Sequence, residues 1–323
     1  MRKYAFWVIL MFESSTIFGM QQRADTSNRT ADNPIMKAVK NNDLENAKQE
    51  IDKLYHKIWN SDAILPFLCA YKNKHRWSDK ILHMHIDPLR KKLAKILDIR
   101  DTEGNIPLSI ASRNNNILLV KYLVEQGADV NQKDAYGETS LFAAVRKSSE
   151  NIVTYLIEQG ADVNQKNACG ETSLFAAVRR GNENIVKYLV EHGADVNEGI
   201  YGNTPLFAAV RKSNENIVKY LVDHGADVNH KNACGETSLF AAARTGNENI
   251  VKYLTEHGAN INERDRWDKT PLHIAIDNKN EEIVKYLAEC GAKREEQTAN
   301  LDISAKSDSY SMLVCLRLYI VDN

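Results

Sequence analysis

Apolar residues along this chain fall into two registers separated by polar breaks. One reads SLFAAVR at 140–146 and 173–179, PLFAAVR at 205–211 and SLFAAAR at 238–244. The other reads ENIVTYLIEQG at 150–160 and ENIVKYLVEHG at 183–193. In the second register Ile152, Val153 and Leu156 form an i, i+1, i+4 stripe, as in a helix with one buried face. In the first, Leu141 and Ala144 share a face, and the small alanines let another helix come close. Thr139, Thr172, Thr204, Thr237 and Thr270 stand just before this register, where a hydroxyl can accept from the unpaired N–H groups of a helix start. Pro205 and Pro271 suit the first helical position. The pattern predicts two short antiparallel helices followed by a turn-rich connector.

That unit recurs. The glycines closing the second register are Gly127, Gly160, Gly193, Gly225, Gly258 and Gly291, at steps of 33, 33, 32, 33 and 33 residues. Each is placed to end its helix in the left-handed conformation. A period of this size marks a solenoid or array. Neither helix can bury its apolar face alone, so stability must come from stacking on neighbours. The expected fold is an all-α solenoid of stacked helix-turn-helix units with degenerate capping units at both ends.

TPLF at 204–207, TPLH at 270–273 and the recurring GADVN carry a resemblance to the ankyrin repeat family over 101–293. The resemblance implies six repeats with β-hairpin-like connecting loops, at about 101–133, 134–166, 167–198, 199–231, 232–264 and 265–293. It also implies protein–protein recognition on a concave surface formed by the loop tips and first helices. Departures are visible. Phe142, Phe175, Phe207 and Phe240 stand where the family usually has His, which only His273 keeps. Ile106 replaces the capping Thr, and Asp268 replaces the turn glycine of the last unit.

The ends are less regular. Residues 1–19 begin with Arg2 and Lys3, run apolar from Tyr4 to Phe12 and reach Gly19, which predicts a signal peptide and a secreted protein. The alternative is an uncleaved apolar helix on a cytoplasmic scaffold or regulator, which Glu13 favours. A polar linker at 20–33 contains Asn28-Arg29-Thr30, a glycosylation acceptor at Asn28. Residues 34–100 read as a degenerate N-terminal cap with an insertion, and 294–323 as a C-terminal tail or cap. No apolar run is long enough to span a bilayer.

Charge and chemistry narrow the function further. The net charge of −1 gives no global field toward nucleic acid or an anionic membrane. The five cysteines, Cys69, Cys169, Cys234, Cys290 and Cys315, are odd in number and scattered, which is no disulfide framework, and free thiols are expected. Cys169 and Cys234 hold the same turn position two units apart, so about 20 Å should separate them, too far to bridge. His192, His224 and His257 form a column one unit apart that cannot converge on one ion. His83, His85 and Asp87 lie in the irregular insertion and make no convincing metal site. With no phosphate loop or base–nucleophile pair, no enzyme activity, cofactor or metal is expected.

The candidate partner-binding residues form two columns. At the tips stand Tyr136, Tyr201 and Trp267, in register with Glu103, Cys169 and Cys234. Near the ends of first helices stand Arg146, Arg179, Arg211 and Arg244, in register with Arg113. Tyr, Trp and Arg dominate interface energetics, and an arginine ladder could meet carboxylates bidentately. Two features count against the ladder: cations at helix C-termini favour the dipole anyway, and Glu138, Glu171 and Glu236 can neutralise it. The 32-residue step shortens the connector NEGIYG at 197–202, where Gly199 adds freedom; this loop is expected to mark the centre of the contact. The expected function is a monomeric, non-catalytic module that binds another protein, not nucleic acid or a small-molecule substrate. A secreted ankyrin array without disulfides resembles proteins that parasites or symbionts direct at hosts, so an effector role is expected.

Overall fold

The computed structural model describes residues 33–59 and 99–293, which form fourteen helices and no named strand among them. Expectations for the signal peptide, Asn28, His83, His85, Asp87 and the C-terminal tail lie outside the described residues. The chain divides into two compact units, Met1–Asp162 and Val163–Asn323.

The first unit contains three helix pairs: α1 (Pro34–Lys40) with α2 (Leu44–Trp59), α3 (Pro107–Arg113) with α4 (Ile117–Glu125), and α5 (Ser140–Arg146) with α6 (Glu150–Glu158). First helices pack on first helices and second on second: α1 on α3 on α5, and α2 on α4 on α6. The helix pair at 34–59 therefore stacks on the repeat that begins near 101. Its Ile35, Met36, Ala38, Val39, Ala47 and Ile51 are buried. Polar ties reinforce this contact. The Lys40 ammonium lies 2.9 Å from the buried Asp101 carboxylate, and Asn116 Nδ2 donates to Asn42 Oδ1 at 2.7 Å. Burial pushes the Asp101 carboxyl up, but Lys40 and the donors of Asn105 outweigh it and hold it below its ordinary value.

The second unit repeats the arrangement with α7 (Ser173–Arg180) and α8 (Glu183–Glu191), α9 (Pro205–Arg211) and α10 (Glu215–Asp223), α11 (Ser238–Thr245) and α12 (Glu248–Glu256), and α13 (Pro271–Asp277) and α14 (Glu281–Glu289). First helices again pack in series α7–α9–α11–α13, and second helices α8–α10–α12–α14. The second helices match the sequence reading: Ile185, Val186 and Leu189, and likewise Ile217, Val218 and Leu221, are buried. The first helices do not show a single buried face. Pro205 through Val210 are all buried, because α7 and α11 on either side and the paired second helix enclose the short cylinder. Alanine at two consecutive positions makes that close packing possible.

The caps follow the hydroxyls with one exception. Thr139, Thr172 and Thr204 accept from the backbone N–H of Phe142, Phe175 and Phe207. Thr237 does not: the Phe240 N–H already donates to the Thr237 carbonyl in a tighter first turn, and the hydroxyl is buried without a partner. At Thr270 the family's His explains itself, since His273 Nδ1 accepts from the Thr270 backbone N–H at 3.2 Å and lies 2.8 Å from its hydroxyl. A phenyl ring at the other positions forgoes this back-bond and fills the core instead, as Phe142 and Phe240 are almost wholly buried.

The asparagine ending each GADVN supplies the link between repeats. In the first unit Asn131 donates through Nδ2 to the Gly160 carbonyl at 3.0 Å and accepts from the Asp162 N–H at 2.7 Å. In the second, Asn229 bonds the Gly258 carbonyl and the Asn260 N–H at 2.9 and 2.8 Å. Asn164, Asn197 and Asn262 make the same pair of bonds to the next repeat. The second helices α6, α8, α10, α12 and α14 thus end at a carbonyl already claimed by the preceding repeat. On the outer face, lysines of one repeat sit over tyrosines of the next: Lys121 on Tyr155 in the first unit, and Lys187 on Tyr220 and Lys219 on Tyr253 in the second, at 5.5–5.9 Å.

Candidate functional site

The hairpin tips are built by one acidic or amide side chain each. Asp134 Oδ1 accepts from the N–H groups of Tyr136 and Glu138, Asn232 Oδ1 from Cys234 and Glu236, and Asp265 Oδ1 from Trp267 and Lys269. Backbone bonds such as Asp134 N–H to the Glu138 carbonyl close a three-residue loop whose last member, Gly137, has φ +70°. This is the usual three-residue hairpin ending in a left-handed residue. Asp268 takes that role in the last repeat at φ +64°. Burial pushes the Asp265 carboxyl up, and the nearby Glu236 carboxylate adds to this; the backbone donors only partly offset it.

The 32-residue step changes the turn type. Ile200 and Asn203 exchange both backbone hydrogen bonds, at 3.1 and 2.8 Å, leaving a two-residue loop of Tyr201 and Gly202. Both have positive φ, +52° and +79°, as a type I′ turn requires. Gly199 is needed for space, not freedom: a Cβ there would stand 2.0 Å from the Asn203 carbonyl oxygen. Tyr201 is held in a conformation that costs a bulky residue about 1–2 kcal/mol, and the residue is 62% exposed. Tyr136 and Trp267, at 54% and 58%, are exposed as well. Cys234, in the same register, is buried and disulfide-bonded, so among the described cysteines the expected free thiols hold for the exposed Cys169 and Cys290 and not for Cys234. The spacing argument covered the pair Cys169 and Cys234 alone.

The arginine column is tied into the repeats. Arg146 pairs with Glu138 at 2.7 Å and Arg179 with Glu171 at 3.2 Å, and Arg244 pairs with Glu236. In each case the carboxylate lies eight residues upstream, on the hairpin arm that folds back over the helix. The last repeat inverts the signs, with Lys269 2.6 Å from Asp277. Two repeats carry Asn in place of the acid. Beside Asn105, Arg113 lies 3.4 Å from Asp134 and 3.9 Å from Glu138 of the following repeat. Beside Asn203 and Arg211, the position matching Asp134 is Asn232, whose Nδ2 donates to Asn203 Oδ1 at 3.0 Å. A cavity of about 130 Å³ opens there.

The histidine column has a local structural role. Nδ1 of His192, His224 and His257 lies 2.7 Å from the carbonyl of the Tyr four residues earlier, and each ring packs on that Tyr at 3.9–4.0 Å. Burial and the Asp223 carboxylate, which accepts from the Tyr253 hydroxyl, push that phenol up to about 12.

The geometry of paired short helices and hairpins meets a family match over most of its length. A model described as ankyrin repeats (3 copies) matches residues 67–167, 159–232 and 224–298. The chain belongs to the ankyrin repeat family. Its ankyrin repeats are also similar to short stretches of alpha-latrotoxin-Lhe1a of Latrodectus hesperus and alpha-latrotoxin-Lt1a of Latrodectus tredecimguttatus. Identity is 45% over 40 residues, 12% of this chain, for the first and 39% over 41 residues, 13% of this chain, for the second. The chain spans only 3% of the length of either relative. Ankyrin repeats are protein–protein interaction modules, typically without catalysis. No helix among the described residues is long and apolar enough to cross a membrane.

Proposed function

We propose that this ankyrin protein binds another protein through its hairpin tips and first helices, with Tyr136, Tyr201 and Trp267 as anchors. The observation that carries the reading is the exposure of three large aromatics at tip positions, where side chains of this type typically contribute about 2 kcal/mol or more to an interface. Arg146, Arg179, Arg211 and Arg244 frame the contact. Because carboxylates of their own repeats hold three of these arginines, they orient a partner more than they neutralise one. That arrangement favours a protein over nucleic acid, which needs a surplus of cations along a track. The basic and apolar N-terminus supports secretion, and a disulfide at Cys234 suits an oxidising compartment. On this reading the chain is a secreted, monomeric, non-catalytic effector directed at a host protein.

Proximity labelling with the full chain identifies the partner, and titration with that partner measures affinity. Alanine at Tyr136, Tyr201 and Trp267 together should weaken binding by about thirtyfold or more, with the melting temperature held. Undiminished affinity in that variant would remove the tips from the contact. N-terminal sequencing of the exported protein tests the leader: a chain still beginning at Met1 inside the producing cell excludes secretion.

A further inference from the structure

We infer that the partner protein lays an extended segment of its chain between the hairpins at 167–171 and 200–203, pairing with main chain that the shortened repeat leaves open. The inference rests on the protein-binding reading and gives the contact beside Tyr201 its chemistry.

Main-chain bonds tie neighbouring hairpins together elsewhere in the second unit. The Ala233 N–H donates to the Tyr201 carbonyl and the Arg266 N–H to the Cys234 carbonyl, both at 3.0 Å. Each donor is the second residue of a five-residue hairpin, 232–236 or 265–269, and Cys234 is a third residue. The hairpin of the 32-residue repeat has four, Ile200 to Asn203. Tyr201 still serves as its third, since its carbonyl takes the Ala233 N–H, so the member it lacks is the second. The Ile200 N–H bonds its own Asn203 carbonyl, and no donor reaches back to the Cys169 carbonyl. That carbonyl and the Tyr201 N–H have no hydrogen-bond partner among the described residues. The two hairpins also stand apart. A Cβ on Gly202 would lie 2.8 Å from Asn232 Cα, and one on Gly235 would lie 3.1 Å from the Arg266 nitrogen. One on Gly170 would meet nothing within 4 Å.

An open carbonyl and an open N–H beside a gap suit an extended chain, which brings unbonded main-chain groups of both kinds to such an edge. A helix has already spent its own on itself. Exposed Cys169 and Tyr201 flank the gap. The cavity of about 130 Å³ between α7 and α9 touches the same hairpin at Asn203 and has room for one side chain of the segment.

The full-length protein is panned against a displayed library of random linear twelve-residue peptides, and the best peptide is synthesised with one N-methyl group at each position in turn. Methylation should weaken binding about tenfold at one position, or at two separated by a single residue. An alanine inserted between Ile200 and Tyr201 restores the 33-residue length and the missing donor; it should also cost about tenfold in affinity, with the melting temperature held. Bound peptide should slow alkylation of Cys169, read by mass spectrometry, and leave that of Cys290 unchanged. Should the insertion variant not fold, the N-methyl scan on the unaltered protein decides alone. Uniform tolerance of methylation, full affinity in the insertion variant, or a library without binders overturns the inference. Sensitivity along a run of consecutive residues marks a helical ligand and overturns it too. If the peptide tolerates the insertion yet is lost in Tyr201→Ala, protein binding at the tips stands and only the threaded segment falls. A Cys169 that resists alkylation before any peptide is added would give the gap to this chain's own C-terminal segment or to a second copy, and would also overturn the inference.

Discussion

Replacing Asn229 by Ala removes two bonds and little else. Its Nδ2 donates to the Gly258 carbonyl at 2.9 Å and its Oδ1 accepts from the Asn260 N–H at 2.8 Å, both exposed. A net hydrogen bond contributes about 0.5–1.5 kcal/mol, and water can replace both here, so the loss should total about 1–2 kcal/mol. In a domain of 150–250 residues each kcal/mol moves the melting temperature by about 2–4 °C. The bonds join one repeat to the next, and a solenoid's cooperativity resides in such neighbour terms. The urea transition should therefore broaden as well as move, with a smaller m-value. Asn229→Asp keeps the acceptor for Asn260 but sets a carboxylate against the Gly258 carbonyl, so it should cost at least as much as alanine. Urea titration by circular dichroism measures the loss, and amide exchange at Asn260 reports the bond itself. An unchanged midpoint in Asn229→Ala, with Asn260 exchanging at its original rate, would refute the reasoning.

Other outcomes follow from the same geometry. Tyr201→Gly relieves the left-handed tyrosine and should raise stability by about 1 kcal/mol while weakening partner binding; a calorimetric melt and a binding titration should move in opposite senses. Asp101 has a folded value below its unfolded one near 3.9, so its contribution is present above about pH 4 and is lost as pH falls through the folded value. Melts of wild type and Asp101→Asn should accordingly differ at pH 7 and draw together as pH falls below about 4. Asp265 is raised, so folding is favoured as pH falls through its folded value; Asp265→Asn, which copies Asn167 and Asn232, should hold or raise the melting temperature at pH 7. Leu221→Ala, wholly buried in α10, should cost about 2–5 kcal/mol by denaturant titration.

Much of the fold is legible in the chain because it is local. Threonine caps, closing glycines and the Ile-Val-Leu stripe all act within one helix or turn, and the exposed Tyr136, Tyr201 and Trp267 follow from their place in a tip. The asparagine links were illegible because their partners are main-chain atoms 28–31 residues away, and an Asn after Val reads first as a turn residue. The neutralising role expected of Glu138, Glu171 and Glu236 is met, although each pair spans eight residues and needs the hairpin to fold back over the helix. Gly199 was misread because sequence reports a missing side chain without reporting what stands in its space. Cys169 and Cys234 share a register, and their different surroundings come from elsewhere in the chain.

The asparagine links have an evolutionary consequence. Each grips only a carbonyl and an amide that every residue type possesses, so a newly duplicated module needs no matching side chain to lock onto the one beside it. Slippage during copying can lengthen or shorten such an array in whole steps while the product stays foldable. The near-identical blocks at 181–197 and 246–262 are what that tolerance would leave behind.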